Sequence, residues 1–266
     1  MLPSSIDEHP VQYLDRVGEI FATFDISTQD SGNVSYGVTV GRHTYFVKTA
    51  GDPANTEPVL DFEGRVALLR NAARLAEDVR HDLLPAFHGI TESPVGPLLV
   101  YEWRTGEHLG TDRTDPASAH QRFKRLAPAE ITEALDRLYD LHAQLDAMGW
   151  VEGDFYDGAL LYDFAERRLT VVDLDSYEPS PYRNTIGRMF GASRLMAPEQ
   201  FSLGAPIDTR STAFVMARTA LTFLSDGTLE REPFRGTDAQ YAVLQEATTT
   251  RFPDYRTFHA AWLDAT

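Results

Sequence analysis

The sequence predicts an α+β chain of two lobes, an antiparallel-sheet front and a mainly helical back, with one long helix leading into the second. Three observations carry this. Strand-like runs crowd the first hundred residues, at 34–40, 44–49 and 97–103. One uninterrupted helical periodicity follows at 131–148, and from about residue 184 only loop and helix patterns remain. The chain is 266 residues long and 42% hydrophobic, enough for a substantial core in one large domain or two lobes.

Taken in order, VSYGVTV and TYFVKT flank the turn Gly41-Arg42-His43 and predict a hairpin, with Ser31-Gly32-Asn33 as the turn before it. After Pro58, Val59, Phe62, Val66, Leu69, Ala72 or Ala73, and Ala76 recur at helical spacing. PLLVYEW is a continuous apolar run, the mark of a buried strand. Residues 110–120 contain Asp-Pro and predict a loop or short helix; ITEALDRLYDLHAQLDAM then predicts a long helix that Gly149 ends. ALLYDF (159–164) and LTVVDL (169–174) predict a second hairpin across AERR. SRLMAPEQF, STAFVMARTALTFL and YRTFHAAWLDA complete a loop-and-helix remainder without internal repeats.

Composition excludes several classes. There is no cysteine, so disulfide and thiol chemistry are absent. The net charge of −16, with arginines scattered among acids, predicts repulsion from nucleic acid and anionic membranes. MLPSSIDEHP shows neither the basic start nor the apolar run of a signal peptide, and no apolar stretch approaches the ~18 residues of a membrane helix. A cytoplasmic protein is the expectation.

Of 24 basic residues only two are lysines, Lys48 and Lys124. A lysine kept inside a strand, where arginine is used nearly everywhere else, predicts a need for a compact ammonium. Asp154 follows the long helix in WVEGDFYDG, and Asp173 ends the second hairpin in VVDLD. A loop glycine, a strand lysine, a loop aspartate and a strand-end aspartate, in that order, are the parts for holding a nucleotide polyphosphate with Mg²⁺ and activating a hydroxyl. His142 lacks a second histidine or a cysteine at metal spacing and reads as a core or surface histidine, Asp163 and Asp7 as solvated acids, and the tryptophans as packing.

In this order the motifs resemble the eukaryotic-type protein kinase superfamily, in a bacterial and divergent form. They span Gly32 to Arg251. The resemblance implies a bilobal kinase-like fold with an N-lobe of residues 1–103, a C-lobe of 104–266 and a hinge at about 101–105. TYFVKTA resembles the strand carrying the phosphate-binding lysine, Lys48, with Gly32 and Asn33 offering backbone N–H groups to phosphate. LLVYEWRTGEHL resembles the hinge, which places adenine near Glu102, Trp103 and Arg104. GWVEGDFYDGALLYD resembles the catalytic loop, with Asp154 as base. VVDLD resembles the metal-binding triplet, with Asp173 as the Mg²⁺ ligand. GASRLMAPEQF resembles the end of an activation segment, whose Glu199 pairs with Arg251 in such enzymes. The spacings of 19 residues from Asp154 to Asp173, and 26 from there to Glu199, are ordinary for the family.

The chain departs from the pattern at several places. The glycine-rich loop is reduced to Ser31-Gly32-Asn33; Ala159 stands where the loop asparagine is expected, so Asp157 or Asp175 would have to supply a second metal ligand. Asp157 could equally cap or turn the loop. Tyr156 replaces the usual lysine, Gly153 the usual arginine, and Thr212 the aspartate of the following helix. Glu63 is the helix acid available to pair with Lys48, although counting back from His81 puts the expected place near Asn71.

Three functions are consistent with these residues. The first is an ATP- and Mg²⁺- or Mn²⁺-dependent serine/threonine protein kinase acting on a protein substrate. The second is a kinase of a small hydroxylated molecule such as an antibiotic or metabolite, which an acidic surface would favour if that molecule is cationic. The third is a pseudokinase that binds nucleotide without turnover. Ser176, Tyr177, Thr185 and Ser193 are candidate regulatory positions.

Overall fold

A computed structural model describes residues 3–25 and 31–266 as an α+β chain that divides into two compact units. Residues 1 and 2, part of the segment read above for a signal peptide, lie outside the described residues. The first unit spans 1–80 and 85–104; the second spans 81–84 and 105–266. The chain passes to the second unit after residue 104, within the expected hinge at about 101–105, and residues 81–84 group with that unit. Those four residues go with the second unit because Val171 donates to the Leu83 carbonyl at 2.8 Å and Arg137 pairs with Asp82.

In the first unit, α1 (Pro10–Val17) precedes β1 (Glu19–Phe24), β2 (Val34–Val40) and β3 (His43–Thr49). Helix α2 (Phe62–Asp78) follows, then β4 (Phe87–Ser93) and β5 (Gly96–Glu102). The strands form one antiparallel sheet in the order β1-β2-β3-β5-β4. Strand alternation divides its side chains between two cores. Val38, Val47, Leu98 and Val100 pack against Tyr13 and Leu14 of α1. Ala50 and Leu99 pack against Leu69, Ala72 and Ala73 of α2. Helix α2 starts at Phe62 rather than at Val59 because the Asp61 carboxylate accepts from the Gly64 N–H at 2.8 Å and caps it.

In the second unit, β6 (Glu107–His108) and α3 (Ala119–Lys124) lead to α4 (Pro128–Ala147), which a proline in its first turn opens. β7 (Trp150–Val151), β8 (Leu160–Asp163), β9 (Arg168–Val171), β10 (Glu178–Pro179), β11 (Tyr182–Arg183) and β12 (Pro206–Ile207) are short. They build a three-stranded sheet β6-β8-β9 and the pairs β10-β7 and β11-β12. Helices α5 (Thr209–Leu224), α6 (Asp238–Thr248) and α7 (Tyr255–Ala265) complete it. Tyr139 of α4 packs edge-on against Trp262 of α7 and donates its hydroxyl to the Met216 carbonyl of α5, locking three helices together. His142 is fully buried on the same face. Its Nδ1 faces the Leu138 carbonyl, which can only accept, so Nδ1 carries the proton and Nε2 accepts from the Tyr177 hydroxyl at 2.8 Å. Burial pushes His142 down to about 4, keeping it neutral.

Candidate active site

Lys48 lies on β3, paired across to Ser35 on β2 and Leu99 on β5. Directly paired residues share a sheet face, so Lys48 is on the Leu99 face, the one that α2 covers, and it is 7% exposed. Phe46, two residues earlier, is on that face too, and its pair is Gly37. A Cβ on Gly37 would come within 2.7 Å of Phe21 and 2.9 Å of Trp103, so both rings close over the glycine. Phe24 stacks on Trp103 at 6.4 Å between centroids, and Phe21 meets it edge-on at 4.8 Å. One sheet face therefore carries a partly exposed aromatic platform and, one residue pair along β3, an ammonium.

The turn before β2 is tied to the same strand: the Asn33 amide donates to the Thr49 carbonyl at 3.1 Å, one residue beyond Lys48. At the other end of the sheet, the Glu102 and Trp103 N–H groups are taken by the Ala86 and Thr44 carbonyls, at 2.8 and 3.2 Å. Of the residues 102–104 expected to meet adenine, two thus have their N–H groups engaged within the sheet, and the Arg104 guanidinium meets Glu102 at 3.0 Å.

Glu63 needs a correction. It stands in the first turn of α2 on an exposed stripe with Ala67, Arg70 and Arg74. The buried stripe is Arg65, Leu69, Asn71, Ala72, Ala73 and Leu75, so Glu63 does not share the face turned to Lys48. It serves the positive end of the helix dipole. Asn71, at the alternative position, is buried, and its Oδ1 accepts from Arg74 at 2.9 Å.

In the second unit, Asp154 sits in the loop after β7, which β10 holds through the Glu178–Val151 pair. Gly153 is required here: a Cβ would come 2.1 Å from the Ser176 carbonyl oxygen. That crossing explains why no arginine precedes Asp154. The Asp154 Oδ1 faces Gly191, where a Cβ would be 3.1 Å away.

β9 ends at Val171, earlier than residue 174, and Asp173 is exposed with φ +63°, a left-handed conformation uncommon outside glycine. The Tyr156 hydroxyl approaches its Oδ2 at 3.5 Å. An exposed carboxylate held off the strand by a strained backbone suits a hard cation that keeps most of its waters. Asp175, two residues on in sequence, is buried. Among the described residues no group of three or more histidine, aspartate or glutamate side chains gathers as an all-protein metal site.

Asp157 does not fit as a ligand and is corrected to a structural role. One of its oxygens pairs with Arg113 at 2.9 Å and the other with Arg194, while His120 stands 3.5 Å away. Burial alone would push its carboxyl up, but the His120 hydrogen bond and the two guanidinium groups outweigh that and hold it at about 2. Ala159 is fully buried, and its carbonyl accepts from the Val172 N–H at 2.8 Å.

The segment after β11 is fastened at both ends. Glu199 and Arg251 are brought together, as described below, and the Ser211 hydroxyl donates to Glu199 at 2.6 Å. Near the start, the Asn184 Oδ1 accepts from the Ile186 and Gly187 N–H groups at 3.1 and 3.0 Å. The Gln200 amide donates to Glu152 at 3.1 Å, and the Thr212 hydroxyl oxygen accepts from the Glu152 N–H at 3.5 Å. Glu152 is wholly buried two residues before Asp154; burial, with the Asp154 charge adding to it, pushes its carboxyl up to about 8. Sequence reading passed over Glu152, although an acid directly flanking Gly153-Asp154 was a visible signal. It also passed over Arg65, Arg113, Arg194 and Gln200, whose roles depend on partners far along the chain.

No family model matches the chain, and no curated protein matches it.

Proposed function

We propose that the chain is an ATP-dependent phosphotransferase of protein-kinase type, moving the γ-phosphoryl group to a serine or threonine hydroxyl. The observation that carries this is the shared sheet face of Lys48 and the aromatic platform of Phe24, Phe46 and Trp103. A purine base stacks on such rings for about 1–3 kcal/mol, and an ammonium along the same strand meets the phosphates as a point charge. Asp154 accepts the proton of the attacking hydroxyl. The hydroxyl oxygen bonds to the γ-phosphorus as the bond to the bridging oxygen breaks and ADP leaves. Asp173 would hold Mg²⁺, which would supply charge neutralisation at the phosphates.

A protein acceptor is favoured over a cationic small molecule by exposed apolar side chains on the segment near Asp154. Ile186, Phe190, Phe201 and Leu203 are 55%, 41%, 42% and 73% exposed. A second reading, a nucleotide-binding module without turnover, draws support from Ala159 and from the arginine-bound state of Asp157, which together leave few metal ligands.

The deciding experiment is transfer of labelled γ-phosphate from ATP with Mg²⁺ or Mn²⁺, on wild type, Asp154→Ala and Asp173→Asn. The expected result is label with wild type alone and retained nucleotide-dependent thermal stabilisation in Asp154→Ala. Stabilisation by nucleotide without label in wild type would establish the binding module, and neither effect would end both readings.

A further inference from the structure

We infer that Arg65 is a positioning residue for the nucleotide phosphates, acting as a clamp that fixes the Ser31-Gly32-Asn33 turn to helix α2. The inference rests on the proposal that this turn meets phosphate.

Arg65 lies in the first turns of α2 and is completely buried. Arginine is among the residues least often buried without a partner. Its three acceptors are all backbone carbonyls: Gly32 from Nη1 at 2.9 Å, and Asp52 and Asn55 from Nη2 at 3.0 and 3.3 Å. The Phe62 ring lies 5.5 Å from the guanidinium carbon, and Nε has no hydrogen-bond partner. Filling space alone would be served better by leucine, which brings no charge to desolvate. What the guanidinium adds is a rigid fork joining three points of chain: the turn before β2, the connection after β3, and the helix itself.

The surrounding glycines are shaped to this fork. Gly32 has φ +83°, and a Cβ there would lie 2.2 Å from Pro58 Cγ. Gly51 has φ +71°, and a Cβ there would come 2.6 Å from the Gly32 oxygen and 3.3 Å from Arg65 Nη1. In a planar trans peptide the carbonyl and the next N–H point in opposite directions. Holding the Gly32 carbonyl on Arg65 therefore aims the Asn33 N–H away from the helix. That N–H makes only a long contact of 3.4 Å to the Ser31 hydroxyl, which a phosphate oxygen would readily displace. Glu63, on the exposed stripe, takes no part. A displacement of α2 is thereby transmitted to the turn through the Arg65 side chain.

The test compares Arg65→Met, Arg65→Lys and Gly51→Ala with wild type in nucleotide affinity, KM and kcat for ATP, and amide exchange at residues 32–34. Arg65→Met is expected to weaken ATP binding about tenfold, the worth of one charge-assisted hydrogen bond, with kcat changed much less and exchange at 32–34 accelerated. Arg65→Lys, which can reach a single carbonyl, is expected to recover part of that loss. Gly51→Ala, which displaces the Gly32 oxygen and leaves the charge in place, is expected to reproduce the loss, so the conclusion does not hang on one variant folding. Unchanged affinity and unchanged exchange in Arg65→Lys and Gly51→Ala overturn the inference. Should wild type bind no nucleotide, the phosphotransferase reading falls on its own; acceleration at 32–34 then still supports the clamp, and its absence overturns it.

Discussion

The Arg251 guanidinium donates two hydrogen bonds to the Glu199 carboxylate, at 3.1 and 2.8 Å, across 52 residues of chain. It also reaches the Arg210 carbonyl at 2.9 Å, so one side chain joins the end of the 182–201 segment to α5. Arg251 itself has φ +71°, a strained backbone that the pair must hold. Arg251→Lys keeps the charge and forfeits the fork, and is expected to lower stability by about 2 kcal/mol. Urea denaturation measures it; a loss below about 0.5 kcal/mol would show the pair to be decorative.

Asp173 and its left-handed backbone separate two effects of substitution. Asparagine tolerates that conformation, so Asp173→Asn should melt near wild type while losing transfer and Mg²⁺-dependent nucleotide stabilisation. Asp173→Ala should lose the same chemistry and be less stable by about 1 kcal/mol. Equal stability of the two variants would remove the strain argument.

Asp157→Asn should behave oppositely. Removing a buried carboxylate that two guanidinium groups share is expected to cost on the order of 2–3 kcal/mol, with Mg²⁺-dependent nucleotide binding kept. Loss of Mg²⁺ dependence without destabilisation would restore Asp157 as a ligand. Because the folded carboxyl titrates at about 2 against 3.8 in an exposed aspartate, its stabilisation is present above pH 3.8 and lost as the pH falls through about 2.

Glu152 gives the reverse pH dependence. The folded state keeps its proton up to about pH 8, whereas an ordinary glutamate releases it near 4.5. Between these values the folded state binds more protons, so the contribution is full below pH 4.5 and fades as the pH rises through about 8, by on the order of a few kcal/mol. Thermal unfolding of wild type should show this decline, and Glu152→Gln should flatten it. Parallel profiles for the two proteins would place the titration elsewhere.

The Tyr182 hydroxyl is buried without a hydrogen-bond partner, and a Cβ on Gly153 would lie 3.1 Å from it. Tyr182→Phe removes an unsatisfied polar atom while keeping the ring in its cluster with Val151, Met189, Met196 and Ile207. Stability should rise by up to about 1 kcal/mol. A loss of more than about 1 kcal/mol would mean that the hydroxyl has an ordered partner.

The sequence spoke clearly where a local pattern decides the structure. The Val34–Val40 and His43–Thr49 hairpin, the long helix at Pro128–Ala147 and the closing helix at Tyr255–Ala265 carry strong periodicity or turn chemistry. The amphipathic α1, the solvent-alternating β1, the strand Phe87–Ser93 and helix α6 went unanticipated. Their patterns are short, and packing against distant segments decides them. The same division holds at the site. Lys48, Asp154 and Asp173 were visible as residue types at telling places, whereas the roles of Glu63 and Asp157 turned on which way a side chain faces. A helix periodicity read from Val59 does not say that Glu63 falls on the outer stripe. Nor does the sequence around Asp157 reveal that Arg113 and Arg194, 44 and 37 residues away, will claim both its oxygens.

The scarcity of lysine has a practical consequence. The chain offers only two side-chain amines, and the one on β3 is 7% exposed. A soluble acylating reagent will therefore tag Lys124 and the chain terminus, leaving the β3 amine almost untouched. If the proposed nucleotide site is real, a reagent that delivers its acyl group from the phosphate of a nucleotide is expected to reverse that preference, because it releases its tag where phosphate and amine meet. In most proteins such tagging is read against dozens of competing lysines. Here a single tryptic map has one signal peptide and one internal control.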